Sequence, residues 1–140
     1  MTTGISLDDD PARLDLDLLH RWMSEQAYWA KGRSRESMRA AVEGSWCLGA
    51  YGDGALLGFA RLVTDRATHA WLCDVFVASQ ARGQGVGKAL VQRCLDQADA
   101  WGVRRMMLAT RDAHALYRGL GFTDVEGGLF LERHLPQVMN

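Results

Sequence analysis

The sequence predicts an α+β protein of three layers, in which one mixed, twisted sheet of six to seven strands carries helices on both faces. Two observations support this class. Residues 45–77 contain three strand-like apolar runs separated by short turns, and a glycine-rich turn at 82–88 leads directly into a long amphipathic helix. Because 140 residues suit one domain with a single core, we expect residues 1–140 to form one domain.

The N-terminal part predicts a strand followed by two helices. Residues 2–7 form the first strand-like run. The first helix is expected to begin at Asp10-Pro11 or at Asp15, since Asp is a common helix N-cap. The second helix is expected to run from Ser34, another N-cap residue, to Gly44.

The central part predicts an antiparallel meander. Two strand-like runs, 45–51 and 55–64, are separated by the turn-forming residues 52–54 and should make a hairpin. A third run, which ends at Val77, follows a turn at 65–68.

Shorter elements follow the long helix. We expect a buried strand at 106–109 and a helix at 113–120. A last strand is expected at 130–135, reached from 123–126 through two glycines.

The glycine-rich turn has the features of an anion site. Glycines at every second position, from Gly83 to Gly87, let the backbone approach a ligand closely. Helical periodicity begins at once with Val86 and Leu90, and Gly102 is placed to end this helix. The glycines therefore lie at the helix N-terminus, where unpaired amides and the helix dipole favour an anion.

Two common phosphate motifs do not match this turn. A P-loop requires Gly where Arg82 stands and Ser or Thr where Ala89 stands. The dinucleotide fingerprint requires a third glycine, but its positions are held by Lys88 or Leu90.

The turn instead resembles motif A of the GNAT superfamily of acyl-CoA-dependent N-acetyltransferases. Its signature Arg/Gln-x-x-Gly-x-Gly/Ala is met by Arg82, Gly85 and Gly87. Residues 110–122 resemble the second signature of the superfamily, a helix that carries Leu-Tyr, here with Tyr117, and ends in Gly-Phe. The two signatures occur in the expected order, and the resemblance implies a GNAT fold.

The resemblance also implies acetyl-CoA as the cofactor, held between strands four and five where these separate. The pantetheine arm would lie along the strand that ends at Val77, and backbone amides of the glycine turn would bind the pyrophosphate. A bulge in that strand would direct an amide at the thioester carbonyl. Thr110 stands where the family often has an Asn. The cofactor-binding residues implied are Val75, Phe76, Val77, Arg82, Gly83, Gln84, Gly85, Val86, Gly87, Lys88, Thr110, His114 and Tyr117.

Two residues are candidates for the proton transfers. Asp74 precedes the carbonyl-binding segment, where the superfamily often carries a carboxylate that acts as a base through water. It can equally be a structural carboxylate that orients a neighbour. Tyr117 matches the general-acid tyrosine of the family, although a ring packed on the motif A helix would give the same sequence. His69 and His114 are weaker candidates for the base.

The connection between the first two helices commonly lines the acceptor pocket in the GNAT fold. Here it carries Tyr28 and Trp29, flanked by Lys31 and Arg33. These residues could hold an anionic or carboxylate-bearing amine, so Tyr28, Trp29 and Arg33 are the expected acceptor-binding residues. Alternatively, the two aromatic residues simply cover the core.

Composition excludes several classes of partner. The formal net charge of −1 and the lack of a Lys/Arg run argue against nucleic acid, and no apolar run reaches membrane-spanning length. The acidic stretch 8–10 does not fit a secretory signal, so we expect a cytoplasmic protein. The three cysteines, Cys47, Cys73 and Cys94, are expected to be free thiols and not metal ligands.

The expected activity is therefore transfer of an acetyl group from acetyl-CoA to a primary amine of a small-molecule or amino-acid-like acceptor, by direct attack. A covalent intermediate on Cys73 is rejected, because no activating group adjoins it in sequence. The alternatives are an acyl-CoA-binding sensor without catalysis and a peptide or protein N-acetyltransferase. Formation of a homodimer is left open.

Overall fold

The computed structural model describes residues 4–135, which form a single five-stranded sheet and four α-helices. The strands lie in the order β1-β2-β3-β4-β5, antiparallel except for the parallel pair β4-β5. The predicted mixed sheet of an α+β fold is confirmed. The elements are β1 (Ile5–Asp8), α1 (Leu16–Arg21), α2 (Arg35–Glu43), β2 (Trp46–Gly52), β3 (Ala55–Thr64), β4 (Ala70–Val77), α3 (Val86–Trp101), β5 (Met106–Met107) and α4 (His114–Gly119).

The helices cover both faces of the sheet. On one face, α3 buries the predicted stripe that begins with Val86 and Leu90 against β2, β3 and β4. Gly58 of β3 allows this close approach, since a Cβ there would lie 3.0 Å from Cδ1 of Leu90. On the other face, α1 and α2 contribute Leu19 and Met38 to a second apolar cluster that packs on β3 and β4.

Local signals set the ends of the helices as expected. Asp15 accepts a hydrogen bond from the amide of Leu18 at the start of α1, and Ser34 accepts one from the amide of Ser37 at the start of α2. Gly102 ends α3 in the left-handed conformation, with φ of 79°. A π-helical turn, Trp22–Gln26, continues α1 toward the predicted acceptor loop.

The hairpin of β2 and β3 closes through a two-residue loop, Asp53 and Gly54. Both residues have positive φ, of 51° and 78°, as a type I′ turn requires. The Asp-Gly pair therefore sets the register in which β2 and β3 leave the turn.

Three predictions about strands were wrong. The sheet has five strands within residues 4–135 and not six to seven, and β5 covers Met106–Met107 and not 106–109. Residues 123–126 and 130–135 are not in strands. A strand needs a neighbouring strand to pair with, and the two-residue β5 offers too short an edge, so side chains such as Leu131 are exposed. The predicted first strand includes residues 2 and 3, which lie outside the described residues.

The separation of β4 from β5 places the candidate site. The two strands pair only at Ala70 with Met106 and at Trp71 with Met107. From Leu72 onward, β4 pairs with β3 alone. This opening beside β4 agrees with the separation that the family resemblance implied.

Candidate active site

A β-bulge interrupts β4 beside this opening. Arg61 pairs with Cys73 and Phe59 pairs with Phe76, so Asp74 and Val75 together lie opposite the one residue between Arg61 and Phe59 in β3. Asp74 adopts a left-handed backbone, with φ of 55°. The bulge implied by the resemblance is therefore present, at the residue predicted to carry the carboxylate.

The Asp74 carboxylate is the centre of a hydrogen-bonded cluster. Its Oδ1 accepts from Nε1 of Trp29 at 2.8 Å and from Nη2 of Arg33 at 3.3 Å. Its Oδ2 accepts from Nη1 of Arg33 at 2.7 Å and from Nε of Arg61 at 2.9 Å. We call these four side chains, Trp29, Arg33, Arg61 and Asp74, the Asp74 cluster.

The cluster keeps Asp74 ionised although only 1% of its side chain is exposed. Burial alone would raise the pKa of Asp74, but the hydrogen bond from Arg33 and the charge of Arg61 outweigh it and hold the pKa below its usual value. A carboxylate with these donors and a lowered pKa is a weak base. The geometry thus favours the structural alternative for Asp74.

The predicted acceptor loop lies across this cluster. Tyr28 and Trp29 pack edge to face, with ring centroids 5.0 Å apart, and each is 43% exposed. The guanidinium of Arg111 lies 4.3 Å from the ring centroid of Tyr28. The Arg33 guanidinium is instead turned onto Asp74 and Met38, so its charge is already paired.

A cavity of about 300 Å³ lies between the acceptor loop, β4 and the start of α4. It brings together Tyr28 and Trp29 with Tyr117, residues predicted from two distant parts of the sequence. Its other walls are formed by Trp71, Leu72, Cys73, Asp74, Val75, Leu108, Ala109, Thr110, Asp112 and Ala113.

Tyr117 lies on α4 between this cavity and a second one. Its ring packs edge to face with Phe122 at 5.7 Å, and burial raises the pKa of its hydroxyl. The hydroxyl therefore stays protonated near neutral pH and can donate. The second cavity, of about 420 Å³, also contains His114 and Thr110. Thr110 Oγ1 accepts a hydrogen bond from the amide of Ala113, which fixes the entry to α4.

The glycine turn follows the end of β4. Gly83 and Gly85 have φ of 77° and 81°, which favours glycine at both positions, and Gly85 is the N-cap of α3. The first helical hydrogen bond is donated by Ala89 to the carbonyl of Gly85, so the amides of residues 86–88 are the free donors of a helix start. The turn is exposed except for the buried Val86 and the half-buried Gly87.

Side chains around the turn have separate roles. Arg82 Nε donates to the carbonyl of Val77 at 3.0 Å, and its guanidinium lies 5.4 Å from the ring centroid of Phe76. Gln84 donates to the carbonyl of Gln80 at 3.4 Å. Lys88 is exposed. Arg82 therefore links the turn to the end of β4.

Sequence reasoning missed several residues of the site, among them Arg61, Trp71 and Arg111. Arg61 could have been identified from the sequence, since it is the one charged residue within the apolar run 55–63. No feature of the sequence marks Trp71 or Arg111 as a site residue, because their positions depend on contacts between separate elements.

The cysteines are free thiols, as expected. Burial raises the pKa of Cys47 and Cys94 to about 12, and it also raises the pKa of Cys73 in the cavity wall. Each is therefore a poor nucleophile at neutral pH. Between residues 4 and 135, no group of three or more His, Cys, Asp or Glu side chains is placed to hold a metal ion. No helix in that range has the length and apolarity needed to cross a membrane.

Comparison with known proteins decides the family. Residues 16–122 match the model of the Acetyltransferase (GNAT) family. The chain belongs to the GNAT family. It is therefore an acetyltransferase of a family whose enzymes use acyl-CoA and acetylate acceptor substrates.

Individual GNAT relatives support this assignment over most of the chain. A protein of Xanthomonas campestris pv. campestris, assigned as a GNAT acetyltransferase, is 38% identical to this chain in sequence. Its crystal structure superposes with a TM-score of 0.91, and the match covers 97% of this chain and 96% of that one. A protein of Gibberella zeae assigned as an acetyltransferase is 28% identical over 82% of this chain and 77% of its own length.

A third relative matches over a shorter stretch of this chain. The GCN5-related N-acetyltransferase 2, chloroplastic, of Arabidopsis thaliana is 40% identical over 54% of this chain. The match spans only 31% of the Arabidopsis protein.

The Asp74 cluster predicts an acid-sensitive contribution to stability. At pH 7, Asp74→Asn should lower the free energy of unfolding by about 3 kcal/mol, because the partly buried guanidiniums of Arg33 and Arg61 lose their counter-ion. The pKa of Asp74 is lowered in the folded protein from about 4 in the unfolded chain, so this stabilisation is complete above about pH 4 and is lost as pH falls through the lowered pKa. Denaturant titrations of both proteins from pH 7 to pH 2 should show the difference shrinking below pH 4. A difference that stays constant across this range would contradict the ionised cluster.

Proposed function

We propose that this GNAT chain, as one domain over residues 1–140, transfers the acetyl group of acetyl-CoA to the primary amine of a small-molecule or amino-acid-like acceptor. The observation that carries the proposal is the 300 Å³ cavity, in which the acceptor loop, the unpaired part of β4 and Tyr117 meet. Direct attack fits this arrangement, since the one thiol in the cavity wall, Cys73, has a raised pKa.

The donors around β4 and α3 suit an acyl-CoA. The free amides at residues 86–88 and the two left-handed glycines, Gly83 and Gly85, would bind the pyrophosphate, with Lys88 and Arg82 adding positive charge. The part of β4 from Val75 to Val77 pairs on one side only, so its other edge has backbone groups to bind the amides of the pantetheine arm. Bound acetyl-CoA would supply an activated thioester.

The bulge in β4 gives the oxygen of the reacting carbonyl a donor. At a bulge, the extra residue is left unpaired in the hydrogen-bond ladder between the strands, so its amide does not point at the neighbouring strand. We assign the amides next to Asp74, at the start of the segment Val75–Val77, to stabilise negative charge that develops on this oxygen.

Tyr117 is assigned as the general acid that protonates the departing thiolate. Its hydroxyl has a pKa raised above the usual value of about 10, while a free thiol has a pKa of about 8.5. The hydroxyl is therefore protonated when the thiolate leaves. Its position between both cavities supports this role.

Asp74 is not assigned as the base in this proposal. Its two oxygens already accept hydrogen bonds from three side chains, and its pKa is lowered. The proton of the acceptor ammonium is therefore assigned to solvent at the cavity mouth, where Tyr28 and Trp29 are each 43% exposed.

An acceptor panel tests the function directly. Release of free thiol from acetyl-CoA should depend on added amine for at least one member of a panel of polyamines, amino acids, aminoglycosides and amino-terminal peptides. Turnover with peptides alone would favour a peptide or protein N-acetyltransferase. Tight binding of acetyl-CoA without turnover on any amine would instead support the acyl-CoA sensor.

Tyr117→Phe tests the general acid. The substitution keeps the ring against Phe122 and removes the donor, so kcat should fall on the order of 10²-fold while CoA affinity persists. The loss should shrink as pH falls, because solvent then supplies the proton more readily. The measurement is single-turnover rate against pH.

Tyr51→Phe is the matched control for this test. The Tyr51 hydroxyl is buried, has no hydrogen-bond partner among the described residues and lies outside both cavities. Its removal should leave the rate unchanged. An equal rate in wild type and Tyr117→Phe would contradict the general-acid role and leave Tyr117 with a packing role only.

A further inference from the structure

We propose that Asp74 is the positioning residue of the acceptor site: it holds the Trp29 indole at the cavity mouth and thereby sets the affinity for the acceptor. This inference rests on the proposed function only in naming the cavity as the acceptor site. The first step of the argument is that Asp74 is the one buried charged residue of the described chain. Such a residue needs a reason to be kept, since an apolar residue would be less costly to bury.

The second step concerns what holds Trp29. The backbone of the acceptor loop is fixed locally by three hydrogen bonds, from the amides of Ala30, Gly32 and Arg33. These bonds do not fix the Trp29 side chain, which is 43% exposed. Its polar contact is the 2.8 Å hydrogen bond from Nε1 to Asp74, a residue 45 positions away in sequence. Besides its edge-to-face packing on Tyr28, the indole is therefore oriented by this charge-assisted bond.

The third step concerns the two arginines. Arg33 belongs to the acceptor loop and Arg61 to β3, and both donate to Oδ2 of Asp74. Arg61 also donates to Ser45 Oγ at 3.0 Å. The carboxylate therefore ties the acceptor loop to the central sheet at the bulge of β4, the same point where the reacting carbonyl is proposed to bind. Acceptor and acyl group would thus be positioned from one residue.

The expectation that Arg33 binds an anionic acceptor is replaced by this role. Its Nη1 and Nη2 both donate to Asp74, and Nη1 also contacts Sδ of Met38. A substrate carboxylate would have to compete with a buried ion pair for the same nitrogens. The contribution of Arg33 is accordingly to hold the loop, and the cavity presents the faces of Tyr28 and Trp29 to the acceptor.

Two substitutions separate positioning from catalysis. Asp74→Asn removes the charge but keeps an oxygen for Trp29, and Asn tolerates the left-handed backbone of this position. Trp29→Phe keeps an aromatic ring and removes the indole donor. Each should raise the acceptor KM about tenfold, the scale of a hydrogen bond to a charged group, with kcat and CoA affinity within threefold of wild type. The double variant should be no worse than about the larger single effect, since both single substitutions act on the same Trp29–Asp74 hydrogen bond.

Trp46→Phe is the matched control. Trp46 Nε1 also donates to a carboxylate, Oδ2 of Asp9 at 3.2 Å, but the pair lies away from the cavity. This variant tests whether loss of any indole-carboxylate bond has the same effect. It should lower the melting temperature and leave the acceptor KM unchanged.

An NMR measurement without any acceptor tests directly whether Asp74 holds the Trp29 indole. The five tryptophans give five indole N–H resonances, and Trp29→Phe identifies the one from Trp29. In Asp74→Asn this resonance should shift and exchange faster with solvent, while that of Trp46 stays in place. If Asp74→Asn fails to fold, Trp29→Phe and Trp46→Phe still carry the kinetic test.

Three results would overturn the proposal. The first is an unchanged Trp29 resonance in Asp74→Asn. The second is an unchanged acceptor KM in Trp29→Phe, measured with the fastest amine of the panel. The third is a collapse of kcat in Asp74→Asn together with loss of the acidic limb of the pH profile, which would make Asp74 the base. If no amine of the panel is acetylated, the proposed function fails, and the indole resonances still decide the anchoring.

Discussion

Beyond Trp71, β4 has a hydrogen-bonding neighbour on one side only, and this constraint underlies the rest of the site. A strand edge inside a protein needs a partner, because unpaired backbone groups that are removed from water cost free energy. In this GNAT chain, the edge lines a cavity, bulges at Asp74 and ends at the glycine turn of α3. One strand can therefore serve both ends of a long thioester ligand and the acceptor beside it.

The bulge has a consequence for the sheet, because it turns an ionised carboxylate into the protein interior. Such a charge is tolerated only when its hydrogen bonds are complete. Here Trp29, Arg33 and Arg61 donate these hydrogen bonds. Trp29 and Arg33 belong to the acceptor loop beside the cavity, and Arg61 belongs to β3. The hydrogen bonds that stabilise the ionised form of Asp74 also lower its pKa and make it a weak base. The arrangement therefore suits a carboxylate that stabilises the fold and holds neighbouring side chains better than one that accepts a proton.

The sequence carried the local features of the fold and only part of the site. Ser34, Gly102 and the stripe from Val86 were predictable, because a cap or a period of 3.6 residues depends on neighbours in sequence. The grouping of the acceptor loop with Tyr117 came from family resemblance. The partner of Arg33 lies 41 residues away, so the sequence could not show that the charge of Arg33 is paired with Asp74. The strand expected at 130–135 failed for a similar reason, since a short run with apolar residues does not supply a neighbouring strand.

Amide hydrogen exchange with and without CoA tests the central claim most directly. If the unpaired edge of β4 and the start of α3 hold the ligand, CoA should slow exchange at residues 75–77 and 86–88. Exchange in β2, which is paired on both sides, should not change. Slowed exchange confined to residues 120–126 and 129, which line a cavity of about 490 Å³ beside the end of α3, would contradict the account.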